Sequence, residues 1–138
     1  MTDVVPASDL AGVRVEEVMH TGLVTCPPGT SLRTVARILA AHRIHAVVVA
    51  DDRAHEAAGV WGIVSDADVV ARLAAGCIDE AAGLAAELPR CFVEPEDTVE
   101  HAAGMMAAHH CTHLIVVDSS GRPVGVLSSL DVAEAAAR

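Results

Sequence analysis

Two rhythms of apolar positions alternate along the chain. Within residues 31–42, Leu32, Val35, Ala36 and Leu39 recur at helical spacing, and Val99, Ala102, Ala103 and Met106 do the same within 98–110. Each stretch predicts an amphipathic helix. Asp97, followed three residues later by Glu100, reads as a capping box opening the second one. After each helix come two short, β-branched, nearly unbroken apolar runs, at 46–50 and 60–64 and again at 114–117 and 124–127. Such runs predict buried strands. Extended segments at 23–26 and 91–94 precede the helices, each followed by a proline turn. Further helices are predicted at 65–75 and 128–137. A leader at 8–20 is expected to be partly helical, as is the alanine-rich stretch 79–88.

The order β-α-β-β-α thus occurs twice, and the residues repeat with it. Aligning 25–51 with 92–118, an offset of 67, leaves seven positions identical: Pro28/Pro95, Ala36/Ala103, Ala40/Ala107, Ala41/Ala108, His42/His109, Val49/Val116 and Asp51/Asp118. Gly62, Ser65, Asp68 and Val69 recur as Gly125, Ser128, Asp131 and Val132 at an offset of 63. The four extra residues of the first copy fall in the polar stretch 52–59, where insertion is cheap. The expected fold class is α/β (α+β): two β-α-β-β-α repeats packed with pseudo-two-fold symmetry, since each half is small for independent stability. The boundaries read as a leader at 1–14, a first repeat at 15–75, a connecting segment at 76–89 and a second repeat at 90–138.

Composition narrows the function. A formal charge of −10 argues against nucleic-acid phosphates and anionic membranes as partners. Aromatic residues are reduced to Trp61 and Phe92, too few for a base-stacking platform. The opening MTDVVPASDL has neither a basic region nor an apolar run, so no signal peptide is expected and a cytoplasmic location is the default. Cys26, Cys77, Cys91 and Cys111 form no CxxC pair and read as free, small core residues. The histidine groups 42–45 and 109–113 straddle a helix end and a strand start, so dipole interaction and cleft lining outweigh a metal reading. No P-loop, nucleophile elbow or HExxH motif supports catalysis.

The most informative motif is Ser-x-x-Asp at each second-strand-to-helix junction, Ser65/Asp68 and Ser128/Asp131. It has a plain reading as a helix cap. The same geometry suits a nucleotide: helix N–H groups and a hydroxyl face an anion, and a carboxylate accepts from a ribose diol. The readings are compatible.

Together with 24–32, 42–49, 92–99 and 113–118, these motifs make the chain resemble a tandem pair of cystathionine-β-synthase (CBS) domains, a Bateman module, over about 15–138. The resemblance implies a regulatory, non-catalytic module that senses an adenosine-containing metabolite, AMP-like or possibly ATP, S-adenosylmethionine or NAD, in clefts between the repeats. It implies no required cofactor, a homodimer packed through alanine-rich helices, and a protein effector of unknown identity. Carried over residue by residue, one site is Thr25, Cys26, His45, Ala46, Val47, Ser65 and Asp68. The other is Phe92, Val93, Thr112, His113, Leu114, Ser128 and Asp131. Phe92 stands where the family has a polar residue, which weakens the second site, and Val48 and Ile115 replace a common proline. The alternatives are a weak nucleotide-hydrolysing enzyme and a metal- or redox-responsive interaction protein.

Overall fold

Each repeat folds as its apolar pattern requires. The computed structural model describes residues 12–52, 59–86 and 92–137. The first copy runs β1 (Thr25–Cys26), α1 (Leu32–His42), β2 (Ala46–Ala50), β3 (Val60–Ser65) and α2 (Asp66–Ala74). A one-turn helix α3 (Ala82–Ala85) follows. The second copy runs β4 (Phe92–Val93), α4 (Val99–His109), β5 (His113–Val117), β6 (Pro123–Ser128) and α5 (Ser129–Ala136). Each copy forms a three-stranded mixed sheet: β1 lies parallel and β3 antiparallel to the central β2, and β4-β5-β6 repeats the order.

The central strands are apolar on both faces, and from Val47 and Leu114 onward every residue of β2 and β5 is buried. One core gathers Leu32, Val35 and Leu39 of α1 onto Val47, Val49 and Val64; the other gathers Ala102 and Met106 of α4 onto Leu114, Val116 and Leu127. Truncating Leu32 or Leu114, both essentially inaccessible, to Ala is expected to cost about 2–5 kcal/mol.

Helix α4 corrects one expectation. Its cap is Thr98, whose hydroxyl accepts from the His101 N–H at 3.0 Å, not an Asp97–Glu100 box. The Asp97 carboxylate instead accepts from the Glu94 N–H at 2.8 Å, tying the preceding turn. Both α1 and α4 end in a left-handed residue that is not glycine, Arg43 and His110, each at φ 53°.

The chain divides into two compact units that cross the sequence order. One holds Leu23–Pro89; the other joins Met1–Gly22 to Arg90–Arg138. In the second unit the Val15 N–H donates to the Asp97 carbonyl at 2.8 Å, and Arg14 bridges Thr98. In the first, the Ala82 N–H donates to the Thr30 carbonyl at 2.7 Å, and Ala81 bridges Ser31. The two attachments are related by the same offset of 67 as the repeats. Both segments dock by backbone pairing, so helix is confined to one 3₁₀ turn at Val15–Glu17 and to α3; the rest of the expected leader helix before residue 12, and 87–88, lie outside the described residues. Two glycines permit these approaches: a Cβ on Gly83 would meet Pro28 Cβ at 2.9 Å, and one on Gly125 would meet the His20 carbonyl at 2.8 Å.

Candidate functional site

Strand pairing explains why the scattered candidate residues meet. In the first unit Ser65, the last residue of β3, lies opposite Ala46, the first of β2. The Asp66 N–H donates to the His45 carbonyl at 2.8 Å, clamping the start of α2 to the start of β2. Thr25 pairs with Val48 on the other side of β2. The second unit repeats this: Ser128 lies opposite His113, the Ser129 N–H donates to the Thr112 carbonyl at 2.8 Å, and Phe92 pairs with Ile115. In each unit one sheet therefore joins the extended segment, the start of the long strand and the Ser-x-x-Asp motif.

Both motifs are reciprocal caps. Ser65 Oγ accepts from the Asp68 N–H at 3.2 Å while Asp68 Oδ2 accepts from the Ser65 N–H at 2.9 Å. Ser128 Oγ accepts from the Asp131 N–H at 3.1 Å, and Asp131 Oδ2 accepts from the Ser128 N–H at 2.8 Å. The serines satisfy N–H groups that a helix start leaves without partners, and the carboxylates complement its dipole.

The remaining candidates divide by burial. Cys26, Val47, Val93 and Leu114 belong to the two cores, so they offer backbone groups rather than side chains. Thr25, His45, Phe92 and Thr112 are exposed, whereas Ala46, His113, Ser128 and Asp68 are half-buried and Ser65 is buried. His45 Nδ1 lies 3.1 Å from Asp66 Oδ2, and Thr112 Oγ1 lies 2.9 Å from His113 Nδ1. Burial pushes the Cys26 thiol up, against a smaller lowering by its bond with Thr30. It is thereby a poor thiolate nucleophile. Cys77 is free and half-buried rather than a core residue, Cys111 is half-buried and packs against the second core, and Cys91 lies outside the described residues.

The two carboxylates differ in what surrounds them. Asp68 is half-buried, and among the described residues its Oδ1 accepts no hydrogen bond. Asp131 is only 5% exposed, and its Oδ1 lies 2.8 Å from Nε2 of His20, a leader residue. A carboxylate oxygen accepts, so Nε2 carries the hydrogen. His20 is also fixed through its backbone: its N–H donates to the Val126 carbonyl and its carbonyl accepts from the Val126 N–H, both at 3.0 Å. His20 carries no motif and lies far from Asp131 in sequence, so no local pattern singles it out.

Other chemistry finds little geometry. Among the described residues no three His, Cys, Asp or Glu side chains gather as a metal site would require. No helix among them is long and apolar enough to cross a membrane. A shallow depression of about 450 Å³ along α4, between Thr98 and His109, is lined by none of the candidate residues.

Two three-stranded mixed sheets, each followed by a helix capped through Ser-x-x-Asp, define a tandem-repeat α+β fold. The CBS domain family model matches residues 15–75 and 87–138, and the chain belongs to the CBS domain family. No curated protein matches it in sequence. Among solved structures it is similar to a CBS domain protein from Pyrobaculum aerophilum complexed with AMP, at 30% identity and TM-score 0.76, covering 86% of this chain and 89% of that one. It is also similar to a CBS-domain containing protein from Agrobacterium tumefaciens, at 27% identity and TM-score 0.76, covering 90% and 95%. The fold is shared with an uncharacterized conserved protein from Pyrococcus horikoshii, at 21% identity and TM-score 0.79, covering 93% and 95%.

Proposed function

We propose that this protein is a regulatory CBS pair that binds an adenosine-containing ligand at its Ser-x-x-Asp motifs. The observation that carries this is the convergence, within one sheet, of Ser65 and Asp68 with the start of β2 and with Thr25. In this reading the Asp68 carboxylate accepts from the ribose diol, Ser65 and the first N–H groups of α2 face a phosphate, and Thr25, Cys26 and the backbone of residues 45–47 hold the base. The complex of the Pyrobaculum aerophilum relative with AMP supports the ligand class. The module is non-catalytic and needs no cofactor; its output passes to a protein effector in the cytoplasm. Its two ligand-binding halves are the compact units, Leu23–Pro89 and Arg90–Arg138 with the leader docked on it.

The reading extends to assembly and to ligand charge. Val70 and Leu73 on α2 and Leu130 on α5 are exposed apolar side chains, suited to a second copy. We expect light scattering to give about twice 14.2 kDa. With a net charge of −10 and Arg33 already bonded to Asp79, AMP should bind more tightly than ATP. Thermal shift with AMP, ADP, ATP, S-adenosylmethionine and NAD tests the whole reading. A ligand at 100 times its dissociation constant should stabilise the fold by about 2.7 kcal/mol. No shift with any of the five would overturn it.

A further inference from the structure

The leader supplies the second motif with a partner that the first motif lacks among the described residues. His20 reaches Asp131 from a segment more than a hundred residues away in sequence, and its side chain is 76% exposed while the carboxylate it holds is 5% exposed. With Ser128 on Oδ2 and His20 on Oδ1, both oxygens of Asp131 are engaged. The seat is built for this contact. Gly125 leaves the space through which the leader approaches β6, and the paired bonds between His20 and Val126 set the position of the imidazole. The residue that the offset of 67 places opposite His20 in the connecting segment is Glu87, an acid that cannot reproduce an N–H donor; it lies outside the described residues.

We infer that His20 is a built-in competitor for the second adenosine site: its imidazole occupies the carboxylate oxygen that a ribose diol would use, so a ligand binds the second repeat only by displacing it. This rests on the proposed ligand-binding function and adds to it a regulatory device. Occupancy of the second repeat is thereby coupled to displacement of the His20 side chain, and the first repeat fills first. Because the imidazole is largely exposed, its contact is of the modest kind that a ligand can replace.

The test isolates the second repeat. Isothermal titration with AMP is run on the full chain as wild type, Asp68→Asn, Asp68→Asn/His20→Ala and Asp68→Asn/His20→Gln. Asparagine at 68 keeps a capping oxygen while removing the carboxylate, and circular dichroism checks the fold of each variant. Binding by wild type should be weakened by Asp68→Asn. Adding His20→Ala should then tighten the residual AMP site at least about threefold, the scale of an exposed charged contact. His20→Gln, which restores an N–H donor, should return it toward the Asp68→Asn value. In wild-type protein the His20 ring resonances should move as AMP saturates the second site. If wild type binds AMP but His20→Ala leaves the Asp68→Asn background unchanged, the competitor role is overturned while the ligand reading stands. If AMP binds none of the four, the ligand reading fails and this inference fails with it.

Discussion

Asp68 and Asp131 occupy equivalent places in two copies of one motif, yet they are not equivalent groups. Both cap a helix through the same pair of bonds to their serines. Asp68 keeps one oxygen without a partner among the described residues, whereas Asp131 is buried and held by His20. Upstream, Thr25 offers a hydroxyl where the second copy offers the ring of Phe92. Duplication has preserved the capping scaffold while the contacts around it have diverged. A motif identifies where chemistry can occur; the element packed against it decides whether that chemistry is open.

The comparison is tested hardest by ligand affinity. Asp68→Ala should remove the tight phase of AMP binding, because hydrogen bonds to a charged acceptor contribute about 1.5–3 kcal/mol, or roughly ten- to 150-fold. Asp131→Ala should leave that phase intact. Titration calorimetry on both variants decides between them, with circular dichroism guarding against loss of the capped helix. If Asp131→Ala removes the tight phase and Asp68→Ala does not, the ranking of the copies is reversed.

Stability should show the opposite ranking. Both substitutions leave a serine N–H without its carboxylate. Removing Asp131 in addition empties a buried position and ends the His20 contact, an exposed-pair contribution of about 0.2–1 kcal/mol. Urea unfolding should therefore give a lower midpoint for Asp131→Ala than for Asp68→Ala, with equal slopes. Equal midpoints would mean that His20 adds nothing to the fold.

Much of this was legible from the residues, for identifiable reasons. Leu32, Val35 and Leu39 announce α1 because burial repeats with the helical turn, and 46–50 announces β2 because a strand covered on both faces has no polar positions. Ser65 and Ser128 announce their caps because the partner is three residues away. What is local was readable. Asp97 misleads because it competes with Thr98 for the same helix start, and only the folded turn at Glu94 shows which capping role each takes. The crossed docking of leader and connecting segment, and with it the His20–Asp131 contact, leaves no periodicity at all. It is a long-range backbone pairing made possible by two small residues, Gly125 beneath the leader and Gly83 in the connecting segment.

A finer difference lies at the helix ends. Arg43 and His110 both adopt the left-handed conformation after α1 and α4. Histidine visits that region more readily than arginine. Glycine relieves the strain, of order 1 kcal/mol, but loses about 0.4–1 kcal/mol to the added freedom of the unfolded chain. Arg43→Gly should raise the melting temperature slightly, and His110→Gly should raise it less or not at all. The reverse order would mean that side-chain contacts, not backbone conformation, govern these two positions.

The smallest expected effect concerns the turns that join the paired strands. In the first copy Asp51 Oδ2 accepts from Trp61 Nε1–H at 3.1 Å, and the turn carries the four extra residues. In the second copy Asp118 folds back on its own turn: Oδ1 accepts from the Ser120 hydroxyl, from the Ser120 N–H at 2.9 Å and from the Arg122 N–H at 3.0 Å. The Ser120 hydroxyl foremost, then the Arg122 N–H, hold the Asp118 carboxyl below the usual carboxylate range. A carboxyl whose proton affinity falls on folding adds stability while it is ionised in both states, above about pH 4. That contribution disappears as pH falls through the lowered folded-state value. Asp118→Asn keeps an acceptor oxygen in the turn but has no proton to gain, so wild type should be the more stable protein at neutral pH, and its advantage should shrink steadily as the medium is acidified below pH 4 or so. Since Asp118 is only partly buried, salt should screen part of that advantage. Thermal melts of the two proteins across this range check the sign. An advantage that grows on acidification would show that the ionised Asp118 carboxylate opposes the tight turn of the second copy instead of holding it.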